Sequence, residues 1–127
     1  MTPGIAVLVV EDEALVRMDI VGYLEDEGFV VYEAGNADQA IDQLNQHSDI
    51  RILFTDIDMP GSMDGLKLSA VVRERWPPVR IVVTSGHRIV DVTDLPDGGV
   101  FHSKPYQRAA IVQSFRQLTS SVSDSSN

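Results

Sequence analysis

Five runs of apolar, mostly β-branched residues alternate with stretches whose apolar residues recur at helical spacing, and this alternation limits the possible folds. Strands that alternate with helices favour a parallel sheet with helices on both faces. Several of the runs are apolar almost throughout, as expected of strands that are buried on both faces. The predicted strands are Ile5–Val10, Phe29–Glu33, Ile50–Thr55, Arg80–Thr84 and Gly99–His102.

The first predicted helix runs from about Ala14 to Glu27. It ends there because Gly28 stands where helices commonly finish in a left-handed residue. Four apolar residues of this helix fall near one face. These residues are Leu15, Met18, Val21 and Leu24.

The other helices are bounded by similar signals. The second begins after Asn36, a good N-cap, with Gln39 placed as in a capping box. The third spans roughly Gly65–Arg75 and stops before two prolines, and the last begins near Gln107. The residues predicted to form their apolar faces are Ala37, Ala40, Ile41 and Leu44, then Leu66, Ala70 and Val71, and finally Ile111, Phe115 and Leu118.

The crossover between the fourth and fifth strands is short. Only the residues from Ile89 to Leu95 are available for a helix there, and Pro96 ends it. We therefore expect one or two helical turns at most, that is, a short or irregular fourth helix.

The chain of 127 residues suits one domain, which we place at residues 1–118, followed by a Ser-rich disordered tail at residues 119–127. It has no cysteine, which excludes disulfides and thiolate chemistry. The first apolar run is too short for a signal peptide or a membrane span. A cytoplasmic location is compatible with these features and is what we expect.

The net charge of −9 argues against binding to nucleic acid, whose phosphates repel such a chain. The densest basic stretch contains Arg73, Arg75 and Arg80, but an acid and two prolines interrupt it. We expect neither nucleic acid nor a membrane as a partner. Trp76 is interpreted as packing the end of its helix, with a partner-binding anchor as the alternative.

Side chains that carry chemistry follow four of the predicted strands at their carboxyl ends. Ligands of parallel α/β sheets bind at this edge. The residues are Glu11 and Asp12 after the first strand, Asp56 after the third, Thr84 and Ser85 after the fourth, and Lys104 after the fifth. Each alone is more often a cap or a turn residue, but their joint occurrence at one edge predicts a site.

Three carboxylates at one edge need a counterion, because each would otherwise resist ionisation. Their oxygen atoms suit Mg²⁺, which takes carboxylates together with phosphate oxygens and water. Lys104 adds a positive charge for a phosphoryl oxygen, and Ser85 can donate to another. Asp56 is then a carboxylate nucleophile for phosphoryl transfer.

Four motifs of the sequence resemble those of a known family. These motifs are LVVEDE (Leu8–Glu13), FTDIDMPGSMDG (Phe54–Gly65), VVTSGH (Val82–His87) and FHSKPY (Phe101–Tyr106). The sequence resembles the receiver domain of bacterial two-component response regulators from about Ile5 to Leu118. The resemblance implies a flavodoxin-like (CheY-like) α/β fold. That fold is a doubly wound five-stranded parallel sheet in the order 2-1-3-4-5 with helices on both faces.

The resemblance also implies roles for the matching residues. Asp56 is the expected phosphoacceptor, and Lys104 is expected to contact the phosphoryl group, before a proline that the family often joins by a cis peptide. Asp12 is the expected direct Mg²⁺ ligand, and Glu11 is expected to act through water. The backbone carbonyl of Asp58 is expected to complete the protein ligands.

Other matching residues are expected to move or to adjust rates. Ser85 matches the switch hydroxyl, with Thr84 as its rival, and Gly86 leaves room for the phosphoryl group. Phe101 matches the aromatic residue that turns inward during the switch. The residues expected to tune hydrolysis of the phosphoryl group are Asp58 and His87.

The function implied is that of a single-domain response regulator. A histidine kinase or a phosphotransfer protein would donate the phosphoryl group. The domain would then switch conformation and signal to an unidentified downstream protein, or relay the phosphoryl group. It would not be an enzyme beyond its own phosphorylation and dephosphorylation.

Two alternatives remain. The first is a binding module that keeps the receiver fold but is never phosphorylated. The second is a phosphatase of the haloacid-dehalogenase type, because Asp56-Ile57-Asp58 resembles the nucleophile pair of that family. That family places the pair after its first strand, which does not fit this chain.

Overall fold

Strands and helices alternate along the chain in the computed structural model, which describes residues 4–87 and 90–125. The elements are β1 (Ala6–Val10), α1 (Ala14–Asp26), β2 (Val30–Ala34), α2 (Ala37–Gln46), β3 (Ile50–Asp56), α3 (Gly65–Arg75), β4 (Arg80–Ser85), β5 (Val100–Ser103) and α4 (Arg108–Ser125). Among the described residues between β4 and β5, one 3₁₀ turn spans Val92–Asp94.

The strands form one parallel sheet in the order β2-β1-β3-β4-β5. This order confirms the predicted flavodoxin-like (CheY-like) fold, and it reverses between β1 and β3. In register, Val10 pairs with Thr55, Asp56 with Thr84, and Ser85 with Ser103. The carboxyl ends of four strands therefore meet at one edge.

Alternate strand residues point to opposite faces, and each face has its own buried cluster. Leu8, Leu53 and Ile81 belong to the cluster that includes residues of α2 and α3. Val9, Phe54 and Val82 belong to the cluster that includes residues of α1 and α4. The middle parts of β1, β3 and β4 are buried on both sides, which explains the apolar runs that they contain.

The predicted start of α2 is confirmed. Asn36 Oδ1 accepts a hydrogen bond from the backbone N–H of Gln39 at 2.9 Å. Gln39 Oε1 accepts in return from the N–H of Gly35 at 2.7 Å, one residue before the position expected in a capping box. Ala37, Ala40 and Leu44 are buried as the stripe predicted.

The predicted apolar face of α1 was wrong in its first two turns. Leu15 is 80% exposed and Met18 is 64% exposed, whereas Val21 and Leu24 are buried. Each step of three residues falls about 60° short of a full helical turn, so three such steps carry the row to the opposite side. Ile20, which the prediction left out, is buried.

The predicted face of α3 was also wrong, because small residues form its centre. The buried residues are Gly65, Leu68, Ser69 and Val72. A Cβ atom on Gly65 would collide with the Asp56 carbonyl, so α3 lies directly against the end of β3. Ala70 is exposed and Leu66 is half-buried.

The crossover between β4 and β5 is as short as predicted. Its described part contains only the 3₁₀ turn, between the buried side chains of Val90 and Leu95. Arg88 and Ile89 lie outside the described residues. The Arg73 guanidinium donates to the Asp97 carbonyl at 2.7 Å and to the Pro77 carbonyl at 2.9 Å, which ties the crossover to α3.

The last helix continues to Ser125. It therefore passes Leu118, the residue that ends the predicted domain, and the boundary between residues 1–118 and a tail at residues 119–127 stays a prediction. Of the helices within residues 4–87 and 90–125, none has the length and apolar character needed to cross a membrane.

Candidate functional site

The predicted site residues lie at the carboxyl edge of the sheet. Glu11 directly follows β1, Asp56 ends β3, Ser85 ends β4 and Lys104 directly follows β5. Backbone hydrogen bonds continue the sheet there, because the N–H of Lys104 donates to the Ser85 carbonyl at 2.9 Å. The fold thus places side chains from four strand ends around one depression.

Lys104 joins two of the carboxylates. Its Nζ atom lies 2.9 Å from Glu11 Oε1 and 3.2 Å from Asp56 Oδ2. Glu11 is 5% exposed and Asp56 is 7% exposed, so both carboxylates are held largely away from water. The peptide bond from Lys104 to Pro105 is cis.

The ionisation of these groups reflects their burial. Burial raises the pKa of Glu11 and of Asp56, and the ion pairs with Lys104 offset this only in part. Burial alone would lower the pKa of Lys104, but its hydrogen bonds to and the charges of Glu11 and Asp56 prevail and raise that pKa. The carboxylates are therefore poorly solvated, and a further cation would stabilise their charged forms.

A metal site can be formed beside this ion pair. Carboxylate oxygens of Glu11, Asp12 and Asp56 all lie within 4.8 Å of one another. Asp12 is exposed, so this side of the cluster is open to solvent. An all-oxygen donor set with room for water fits Mg²⁺.

A hydroxyl and a fourth acid, Asp58, also lie near Asp56. The Ser85 hydroxyl donates to Asp58 Oδ2 at 2.6 Å and accepts from the N–H of His87 at 3.2 Å. The N–H of Asp58 donates to Asp56 Oδ1 at 3.3 Å. Asp58 therefore connects the central carboxylate to the end of β4.

Comparison with known proteins agrees with this geometry. The family model described as "Response regulator receiver domain" matches residues 7–116. The chain belongs to the response regulator receiver domain family. Members of this family are signalling modules rather than classical enzymes, and the membership removes the support for the phosphatase alternative.

Two curated relatives are NtrX-type response regulators. The NtrX-like response regulator of Rickettsia bellii is 36% identical over 88 residues, which cover 68% of this chain and 18% of that protein. NtrX of Azorhizobium caulinodans is 32% identical over 110 residues, which cover 84% of this chain and 24% of that protein. The receiver domain described here thus corresponds to about a quarter or less of these relatives.

Solved structures show the same fold. A response regulator receiver protein from Sinorhizobium medicae superposes with a TM-score of 0.83 at 28% identity, covering 91% of this chain and 94% of that chain. NtrX from Brucella abortus superposes with a TM-score of 0.84 at 30% identity, covering 96% of this chain and 29% of that one.

The remaining predicted receiver residues take different positions. Gly86 faces Lys104, whose Cβ would be 3.4 Å from a Cβ on Gly86. Phe101 is half-buried against the sheet-face cluster that includes Val83. His87 is exposed, and it contributes its backbone N–H to Ser85. The Ser85 hydroxyl, rather than that of its rival Thr84, contacts the acid beside Asp56.

Sequence reasoning missed Arg17 in this receiver domain. Its guanidinium donates to the Glu11 carbonyl at 2.6 Å and pairs with Glu33 at 3.2 Å. These contacts fix the turn that carries the acid pair. No motif marks an arginine in the second turn of α1, so the sequence alone gave no signal for this role.

An open groove of about 910 Å³ adjoins the site of the receiver domain. One wall is the first turns of α1, with the exposed Leu15 side chain, and the other is the loop after β5 from Lys104 to Arg108. Sequence reasoning missed this surface because it assigned Leu15 to the same face as the buried Leu24.

Proposed function

We propose that this receiver domain accepts a phosphoryl group on Asp56 in a Mg²⁺-dependent reaction and passes a signal on by protein–protein contact. The observation that carries the proposal is the position of the Asp56 carboxylate. It ends a central strand, contacts Lys104 at 3.2 Å, and lies within 4.8 Å of two further acids.

The chemistry is a transfer of a phosphoryl group from a donor to an Asp56 oxygen. The bond from phosphorus to the donor atom breaks as the bond from phosphorus to the Asp56 oxygen forms, and the donor leaves with the electron pair of its bond. Such transfers depend mainly on positioning and on charge stabilisation. Lys104 supplies a fixed positive charge beside the accepting carboxylate. The Ser85 hydroxyl would become a donor to the transferred group once it leaves Asp58.

Asp12, Asp56 and the Asp58 carbonyl would hold Mg²⁺ directly, with Glu11 acting through water. When bound, Mg²⁺ neutralises charge on the transferred group and on its acceptor. Burial raises the pKa of Asp56, which supports a role for a cation beside its ionised form.

The donor would be a histidine kinase or a phosphotransfer protein that docks in the groove beside α1. Leu15 lines this groove, is exposed, and would pack against an apolar helix face of the donor. The downstream protein is unidentified. We infer a cytoplasmic location, where such a donor would supply the phosphoryl group.

Asp56→Asn tests the proposal directly. Incubation with a small phosphodonor such as acetyl phosphate and Mg²⁺ should label the wild-type protein and leave Asp56→Asn unlabelled. Asp42→Asn, in the exposed part of α2, is the matched control and should label normally. Chelation of the metal should prevent labelling of both the wild type and the control.

Labelling of Asp56→Asn at the wild-type rate would refute the site. A wild-type protein that neither labels nor binds Mg²⁺ would support the alternative of an unphosphorylated binding module.

A further inference from the structure

The single hydroxyl proton of Ser85 is used within the protein. It lies in the 2.6 Å hydrogen bond to Asp58 Oδ2, while the Ser85 oxygen accepts from the N–H of His87. Ser85 is fully buried. Because a hydroxyl has only one proton to donate, Ser85 can donate to a second acceptor only after it leaves Asp58.

The bond between Ser85 and Asp58 is of a strong type. A hydrogen bond from a hydroxyl to an ionised carboxylate is charge-assisted, and 2.6 Å is a typical length for such a bond. Asp58 is also held in place by its own N–H, which donates to Asp56 Oδ1. The carboxylate of Asp58 therefore keeps the hydroxyl beside, but not on, the phosphoacceptor.

We propose that Asp58 is a positioning residue that restrains the Ser85 hydroxyl and thereby opposes the conformational change that follows phosphorylation of Asp56. This inference rests on the proposed function. A phosphoryl oxygen on Asp56 competes with Asp58 for the same Ser85 proton. Removal of the Asp58 carboxylate should shift the equilibrium toward the state in which Ser85 contacts the phosphoryl group.

The affinity for beryllium trifluoride, a phosphoryl analogue, measures this competition in the presence of Mg²⁺. Asp58→Ala should bind the analogue about tenfold more tightly than the wild type, because one charge-assisted hydrogen bond no longer has to break. Asp58→Asn should show a smaller gain, since its neutral amide oxygen still accepts the proton. Equal affinities of Asp58→Ala and the wild type would overturn the proposal.

Asp38→Asn is the matched control. Asp38 lies in the first turn of α2, and its Oδ1 atom accepts from the Ser62 hydroxyl at 2.8 Å. This exposed pair therefore has the same kind of hydrogen bond, from a serine hydroxyl to an aspartate, as Ser85 and Asp58. Replacement of the Asp38 carboxylate should leave the affinity for the analogue unchanged. A gain as large as that of Asp58→Ala would show that any lost acid has this effect, and would overturn the proposal.

A double-mutant cycle separates restraint of the hydroxyl from simple repulsion by the Asp58 charge. In a Ser85→Ala background, Asp58→Ala should change the affinity for the analogue less than twofold. A tenfold gain that persists without the hydroxyl would mean that Asp58 acts on the phosphoryl group or the metal directly, and the proposal would be wrong.

The His87 amide reports on the restraint without any ligand. Its NMR signal should shift in Asp58→Ala because its acceptor, Ser85 Oγ, is released. An unchanged signal would overturn the restraint even if phosphorylation itself is confirmed. Failure of the wild type to label or to bind the analogue would overturn the proposed function, while the His87 signal would still test the restraint.

Discussion

The site has two halves that depend on the fold in different ways. The ionic half consists of Glu11, Asp56 and Lys104, whose charges are buried together. The hydroxyl half consists of Asp58, Ser85 and the His87 amide, which are joined by hydrogen bonds. In the ionic half, burial raises the pKa of both carboxylates, so the cation beside them is needed to hold their charge.

We expect the ionic half to govern the transfer of the phosphoryl group and the hydroxyl half to govern the conformational change that follows it. A change in the ionic half removes charge from the place where the phosphoryl group is transferred. A change in the hydroxyl half leaves those charges in place and alters the hydrogen bonds of Ser85. Variants of the ionic half should therefore change the rate of labelling by orders of magnitude. Variants of the hydroxyl half should change that rate by a smaller factor.

Among variants that keep the phosphoacceptor Asp56, Lys104→Met should give the largest effect. Labelling by a small phosphodonor should slow about 100-fold, because a preorganised donor to the transferred group is lost. In the absence of metal, the free energy of unfolding should fall by about 3 kcal/mol, since two buried carboxylates lose their cation. Urea unfolding measures the second effect.

Lys67→Met is the control for this variant, because Lys67 is exposed on α3. It should match the wild type in both measurements. Labelling of Lys104→Met within threefold of the wild-type rate would remove the distinction between the two halves.

Gly65→Ala should come next, because it disturbs both halves through the backbone. A Cβ at this position collides with the Asp56 carbonyl, and relief of that overlap should cost about 1–3 kcal/mol of stability. Gly22→Ala is the control. A Cβ on Gly22 meets no atom within 4 Å, and the change should stabilise α1 by about 0.5–1 kcal/mol. Equal unfolding midpoints for the two variants would contradict the close contact.

The pH dependence of Asp56→Asn should give the smallest effect and test the ionic half alone. The folded-state pKa of Asp56 lies above its reference value of 3.8, so proton binding favours the folded state between these two values. Above both values, the ionised carboxylate lowers stability. Without metal, Asp56→Asn should therefore be more stable than the wild type at pH 7, and this advantage should shrink as the pH falls toward 3.8.

Urea midpoints of both proteins across this pH range, in the presence of a chelator, measure the trend. An advantage that instead grows as the pH falls would show that the carboxylate is stabilised rather than strained by its surroundings.

The sheet could be predicted closely because its sequence signal is simple. Central strands such as β1 and β4 are buried on both faces, so an unbroken apolar run marks each of them. The rule that ligands bind at carboxyl strand ends then brought together Glu11 and Lys104, which lie 93 residues apart.

Helix faces were harder to predict because apolarity and burial do not coincide there. In α3, the buried surface runs through Gly65 and Ser69, since only small residues let the helix approach β3. In α1, Leu15 is apolar but exposed beside the groove. The contacts of Arg17 and of the Asp58 carboxylate depend on side-chain rotamers, which no sequence pattern specifies.

The hydrogen bond from Arg73 to the Asp97 carbonyl affects how a movement of Ser85 could reach other parts of the domain. The turn that precedes β5 is hydrogen-bonded to α3. A movement of Ser85 would therefore be transmitted poorly to Phe101 along the connecting segment. The shorter path between Ser85 and Phe101 crosses from β4 to β5, because Val83 and Phe101 are paired in these neighbouring strands. Mechanical transmission would then follow the hydrogen-bonded ladder instead of the connecting loop.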